Sequence, residues 1–172
     1  MIEKSTTQKA LAMFFDYPSR EFHLRELSRV LKLSMPTIIA ATDKLAKEGL
    51  VIKAKDKILT KTKANRENSW FIRQKRVYNL ERIYASGVLD YISKAYNCPK
   101  AIILFGSFSR GEDIENSDID IAVFSNKRLN LEVKAHEKLL KRNISIHEIN
   151  IEKISQEFRS NLANGVLMEG SW

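Results

Sequence analysis

Ala101-Ile-Ile-Leu-Phe-Gly-Ser-Phe-Ser-Arg-Gly-Glu-Asp-Ile-Glu-Asn-Ser-Asp-Ile-Asp-Ile-Ala-Val-Phe124 holds two apolar runs separated by an acidic loop between glycines. Ala101–Phe105, entered through Pro99 and left at Gly106, has the length and composition of a buried strand. Ile119–Phe124 reads as the next strand, and its two-residue repeat puts Asp118 and Asp120 on one face. Gly106 leaves room for close approach to the backbone, and Ser107 adds a hydroxyl where a helix starts. Together they suit a triphosphate tail. Two neighbouring carboxylates call for a compensating cation, and Mg²⁺ bridging them to phosphate oxygens supplies one. Either piece alone is an ordinary turn or loop cap; both together, each tied to a strand, point to Mg²⁺-dependent nucleotide chemistry.

The pattern Gly106-Ser107-x10-Asp118-x-Asp120 resembles the signature of the DNA polymerase β-type nucleotidyltransferase superfamily, most closely the small stand-alone minimal nucleotidyltransferases of archaea and bacteria. The resemblance spans residues 84–165 and implies helix 83–96, strands 101–105 and 119–124, helix 129–142, strand 144–150 and helix 152–162. It implies that Gly106 and Ser107 hold the phosphates of an NTP, ATP being the expected one. Asp118 and Asp120 would bind Mg²⁺ for in-line attack on the α-phosphate. Arg110 is a further nucleotide contact, with pairing to Glu112 or Asp113 as its alternative. The family's third carboxylate lies on a later strand, and residues 144–151 offer only Glu148, expected as the third catalytic and metal-binding group. Alternation sets Glu148 with Ile144 and Ile146, and His147 with Ser145 and Ile149, so the strand's orientation decides; His147 is the substitute if Glu148 turns away. The apolar tail, residues 162–172, packs on the sheet or on a second subunit.

Upstream, Ser5 or Thr6 caps a helix through Asp16 with Ala10, Leu11, Phe14 and Phe15 as its apolar stripe. A second helix runs from His23 to Leu31, and a third opens at Ser34-Met35-Pro36 and stops at Gly49. Two helices across a short turn, followed by strand 50–52, a turn at Lys55-Asp56-Lys57 and strand 58–60, make a helix-turn-helix with a hairpin wing. This part resembles winged helix-turn-helix domains of prokaryotic transcriptional regulators. Residues 53–66 carry six basic side chains against the single acid Asp56. The residues expected at a DNA phosphate backbone are Ser34, Thr37, Lys44, Lys53, Lys55, Lys57, Lys61 and Lys63. Ile39, Ala40, Asp43, Lys44 and Lys47 on the third helix are poorly suited to bidentate base reading, so the expected contact is with phosphate or shape.

Charge follows the same division. The 172 residues carry a net +8, with 19 Lys+Arg against 10 Asp+Glu in residues 1–97 and 10 against 11 in the remainder. Only the front half is built to meet a polyanion. The expected fold is α+β: a winged helix-turn-helix in 1–66, a helical connector in 67–97 and a small mixed-sheet nucleotidyltransferase domain in 98–172. The longest uncharged run, 33–42, is far short of a membrane span. The opening residues show no apolar signal core, and the single Cys98, expected as an apolar filler, cannot form an internal disulfide. These features predict a cytoplasmic protein that transfers nucleotide to an acceptor, a protein hydroxyl or small molecule, and contacts DNA, as a monomer or a homodimer. The rival expectations are a regulator whose transferase fold only senses nucleotide, and an antitoxin-like transferase acting on a partner protein.

Overall fold

The computed structural model describes residues 4–56, 59–150 and 153–171, with backbone alone at 55, 56 and 59. The chain divides into two compact units, Met1–Lys75 and Arg76–Trp172. The division falls inside one continuous helix rather than at either end of a separate connector.

The first unit contains α1 (Thr6–Asp16), β1 (Glu21–His23), α2 (Leu24–Leu31), α3 (Met35–Lys47), β2 (Val51–Asp56) and β3 (Leu59–Ala64). Ser5 closes a capping box with Gln8 at the start of α1. Ser34 caps α3 by accepting the Thr37 N–H, with proline in the first turn. At the far end of α3, Leu50 N–H bonds Leu45 O and Gly49 N–H bonds Ala46 O, a Schellman closure that needs Gly49 at φ +71°. The strands form an antiparallel sheet in the order β1-β3-β2. β1 is too short to show alternation in the sequence; Phe22, fully buried edge-to-face on Phe14 at 5.6 Å, holds it opposite Thr62.

The second unit begins within α4 (Ser69–Ser86), which breaks from α5 (Val88–Ala95) at Gly87, φ +72°. The expected helix 83–96 is divided at Gly87, its first turn belonging to α4. Then come β4 (Ala101–Phe105), α6 (Gly106–Arg110), β5 (Ile119–Phe124), α7 (Lys134–Leu140), β6 (Ile144–Ile149), α8 (Gln156–Ala163) and β7 (Val166–Gly170). The sheet order is β6-β5-β4-β7, with β5 and β6 parallel and the other pairs antiparallel. The tail thus joins the sheet as β7 beside β4, Trp172 lying outside the described residues. α7 begins later than expected, and the predicted helix start at 152 also lies outside the described residues. Cys98 is exposed rather than a filler, in a left-handed turn at φ 56°.

One face of this sheet, with Ile102, Leu104, Ile119, Ile121, Val123 and Ile144, packs on Ile83, Val88, Leu89, Ile92 and Tyr96. The other, with Ala101, Ile103, Phe105, Ala122, Phe124 and Ile149, packs on Leu162 and Phe158 of α8. Each fully buried Ile, Leu or Phe contributes about 1.5–3 kcal/mol, so both faces fix strand orientation firmly. Among the described residues no helix is long and apolar enough to cross a membrane.

Candidate functional site

The site lies where β4 turns into α6 beside the start of β5. Antiparallel register sets Phe105 opposite Asp120. This delivers the next residue, Gly106, against the Asp120 carboxylate. Gly106 has φ +74°, and a Cβ there would fall on Asp120 Oδ2 and stand 3.3 Å from its Cγ. Glycine is required twice, for the backbone and for the space. Ser107 occupies the first turn of α6, which no side chain caps. Its side chain is half-buried, and no partner among the described residues engages its hydroxyl. Ser109 turns back to donate to Gly106 O at 2.8 Å.

Asp120 shares the sheet face of Ala122 and Phe124, and Asp118 stands one residue before β5, two positions from Asp120. Asn143 Nδ2 donates to Asp118 Oδ1 at 3.2 Å, while Asp120 Oδ1 stands 3.4 Å from His147 Nε2. The Asp120 side chain is 30% exposed, so the pair is open to a ligand. His147 also meets the Phe105 ring at 5.2 Å and Phe158 at 6.4 Å. Among the described residues no three His, Cys, Asp or Glu side chains converge as a metal set. Mg²⁺ does not need one: it is commonly held by one or two carboxylates together with waters and substrate phosphates. The hard oxygens of Asp118 and Asp120, next to a cradle that a Cβ would fill, fit that mode of binding.

Glu148 is not part of this cluster, which corrects the sequence expectation. Parallel register pairs Asp120 with Ser145 and Ala122 with His147. Paired residues of parallel strands share a face, so His147 joins Asp120 and Glu148 points to the opposite side. There its Oε1 accepts from Tyr96 Oη at 2.7 Å and Leu129 N–H at 3.0 Å. Burial works against the Glu148 charge, but these two hydrogen bonds and nearby Arg128 outweigh it and hold the carboxyl below its ordinary range. The same burial, reinforced by Glu148, pushes the Tyr96 phenol well above its usual value.

Arg110 ends α6 and pairs with Glu112 at 2.7 Å. That is the local pairing weighed as the alternative in the sequence. The loop between the glycine turn and β5 hangs on a network that sequence reading missed. Asp113, with its side chain 1% exposed, pairs with the equally buried Arg142 at 3.3 Å and accepts from Asn79 at 2.7 Å. Asn79 also donates to Phe108 O, tying this network to α6.

In the first unit the expected DNA contacts divide. Lys53 Nζ is engaged by Asp43 at 2.6 Å and by Thr42 Oγ1 at 3.2 Å, linking β2 to α3, so it is not a free cation on a surface. Ser34 is occupied as the α3 cap, with Thr37 Oγ1 at 2.8 Å. Lys61 faces Glu21 at 3.7 Å. Lys44 and Lys63 are exposed, as are Ile39, Ala40, Asp43 and Lys47 on α3. Lys57 lies outside the described residues, as does the side chain of Lys55.

Residues 89–169, just under half the chain, match the family model described as Polymerase beta, Nucleotidyltransferase. The match encloses Gly106, Ser107, Asp118, Asp120, His147 and Glu148, and it supports the nucleotidyltransferase reading of the second unit. No curated protein and no solved structure matches the chain.

Proposed function

We propose that the second unit is a Mg²⁺-dependent nucleotidyltransferase that moves a nucleoside monophosphate from an NTP, ATP by preference, to a hydroxyl. The observation that carries this reading is the seating of the Asp120 carboxylate on Gly106, which joins the carboxylate pair to the glycine-serine turn. The Ser107 hydroxyl, unengaged among the described residues, and the uncapped first turn of α6 receive phosphate oxygens. Asp118 and Asp120 hold the metal, which when bound neutralises charge on the phosphates and aligns them for displacement. Asn143 orients Asp118 by its hydrogen bond, and His147 stands where a third acid would be. The test is transfer of labelled nucleotide. Asp118→Asn and Asp120→Asn should each abolish transfer while the unfolding transition stays in place, and retained transfer would sink the metal role.

The first unit is read as a winged helix that binds the DNA backbone. Support comes from its order of helices and strands, the sheet β1-β3-β2 and the exposed Lys44, Lys47 and Lys63. The combined chain is then a cytoplasmic regulator. A second reading, a regulator that senses nucleotide without transferring it, is favoured by one observation: the Asp120 face of β6 carries an imidazole and no third carboxylate.

A further inference from the structure

An open cleft of about 630 Å³ lies along the edge strand β6. Its lining includes His147, Phe158, Asn126, Arg128, Asn150 and Lys153. The volume is that of a small-molecule site, about 300–1,000 Å³. Gly106 and Ser107 do not line it, so the turn read as the phosphate seat and this cleft are different places. They are joined through His147, which lines the cleft and whose Nε2 is 3.4 Å from Asp120 Oδ1. An occupant touching His147 is therefore one side chain away from Asp120 and leaves the Gly106–Ser107 turn clear.

The charge of the cleft indicates what that occupant is. Glu148 also lines it, but its carboxylate already accepts from Tyr96 and Leu129 and faces Arg128. Lys153 has no carboxylate within ion-pair distance among the described residues. Asn150 Nδ2 donates to Asn126 Oδ1 at 3.1 Å, which orients both amides at the cleft wall. Among the described lining residues Arg128 and Lys153 stand against the single carboxylate of Glu148, and this net positive charge, with the amides, suits an anion that also bears hydroxyls.

We propose that this cleft seats the acceptor, and that the acceptor is a small alcohol carrying a phosphate monoester or a carboxylate. Its anion lies on Lys153 and Arg128, and its hydroxyl lies beside His147 and Asp120. The assignment rests on the transferase reading above. In the step, the acceptor oxygen forms a bond to the α-phosphorus as the bond from that phosphorus to the α–β bridging oxygen breaks. Pyrophosphate leaves with the electron pair, and the hydroxyl proton passes to solvent.

The test titrates the full chain with glycerol 3-phosphate, glycerate and glycerol, read by amide NMR shifts, alongside calorimetry with Mg²⁺–ATP. At least one of the two anions should shift the amides of Asn126, Arg128 and Lys153, glycerol should not, and the stronger anion identifies the acidic group. Lys153→Ala and Arg128→Ala should each weaken that binding roughly tenfold and leave Mg²⁺–ATP affinity unchanged. Anion binding indifferent to both substitutions, or no response to either anion, overturns the proposal. So does a loss of Mg²⁺–ATP affinity in step with anion affinity, which would give the cleft to the nucleotide. Anions that bind here while Mg²⁺–ATP never binds would refute the transferase reading, and the acceptor role with it, leaving the cleft as an anion site.

Discussion

Gly106 and Gly87 share a backbone conformation, φ +74° and +72°, but differ in what surrounds them, and that difference isolates the site. A Cβ at Gly87 meets nothing within 4 Å, whereas one at Gly106 falls on the Asp120 carboxylate. Alanine at either position places an L residue in the left-handed region, at a cost of about 1–2 kcal/mol. The two variants should therefore lose similar stability in the unfolding transition of the second unit, followed by urea. The added crowding at Gly106 falls on the end of a movable side chain, so it displaces Asp120 rather than unfolding the strand. Gly106→Ala should then lower Mg²⁺–ATP affinity at least about tenfold, or 1.4 kcal/mol. Gly87→Ala should leave that affinity as in the wild type. Calorimetric titration of both variants decides the matter. Wild-type affinity in Gly106→Ala, or an equal loss in Gly87→Ala, would refute the claim that Gly106 shapes a metal-binding carboxylate.

Five further outcomes follow from the geometry. Arg142→Met should destabilise the second unit by about 3–5 kcal/mol, since it strips a buried carboxylate of its guanidinium. Arg110→Ala, at an exposed pair, should cost under about 1 kcal/mol by the same urea measurement. Glu148, held below the ordinary glutamate value of 4.5, contributes stability that is full above that value and lost as pH falls beneath it. Tyr96→Phe should therefore raise the Glu148 carboxyl in an NMR titration and shrink the acid-side loss of stability; an unchanged titration would mean the phenol is not its main support. In the first unit, Lys44→Ala with Lys63→Ala should weaken binding to unrelated duplexes alike and reduce the salt slope by about 1.8. Lys53→Ala should act on stability and leave that slope intact, because its charge is already matched by Asp43.

The residues that could be read from sequence were those whose placement is local. Asp120 lies on β5 and Asp118 one residue before it, two apart in the chain, and Gly106 and Ser107 follow a strand whose five residues are all buried. The face shown by His147 and Glu148 depended on a different strand. Ile144 with Ile146 on one side and Ile149 on the other leave β6 ambiguous until Ile119 pairs with Ile144 and fixes the register. Asp113 and Arg142 come from two loops and Asn79 from α4, and nothing in sequence spacing joins residues 29 and 34 positions apart. Lys53 shows the same limit: a basic residue on a basic hairpin reads as a phosphate contact until Asp43 and Thr42 of α3 are found beside it. β1 went unread because three residues carry no period, and its position rests on one aromatic side chain.

The most direct test of the central claim is thermal unfolding of the full chain with ATP, with and without Mg²⁺, for the wild type and for Asp118→Asn/Asp120→Asn. At 100 times the dissociation constant a ligand adds about 2.7 kcal/mol, a readily measured shift. A stabilisation that needs Mg²⁺ and disappears in the double variant is the predicted result. Stabilisation that persists without Mg²⁺, or survives removal of both carboxylates, would contradict the assignment of Asp118 and Asp120 as the metal-holding pair of a nucleotide site.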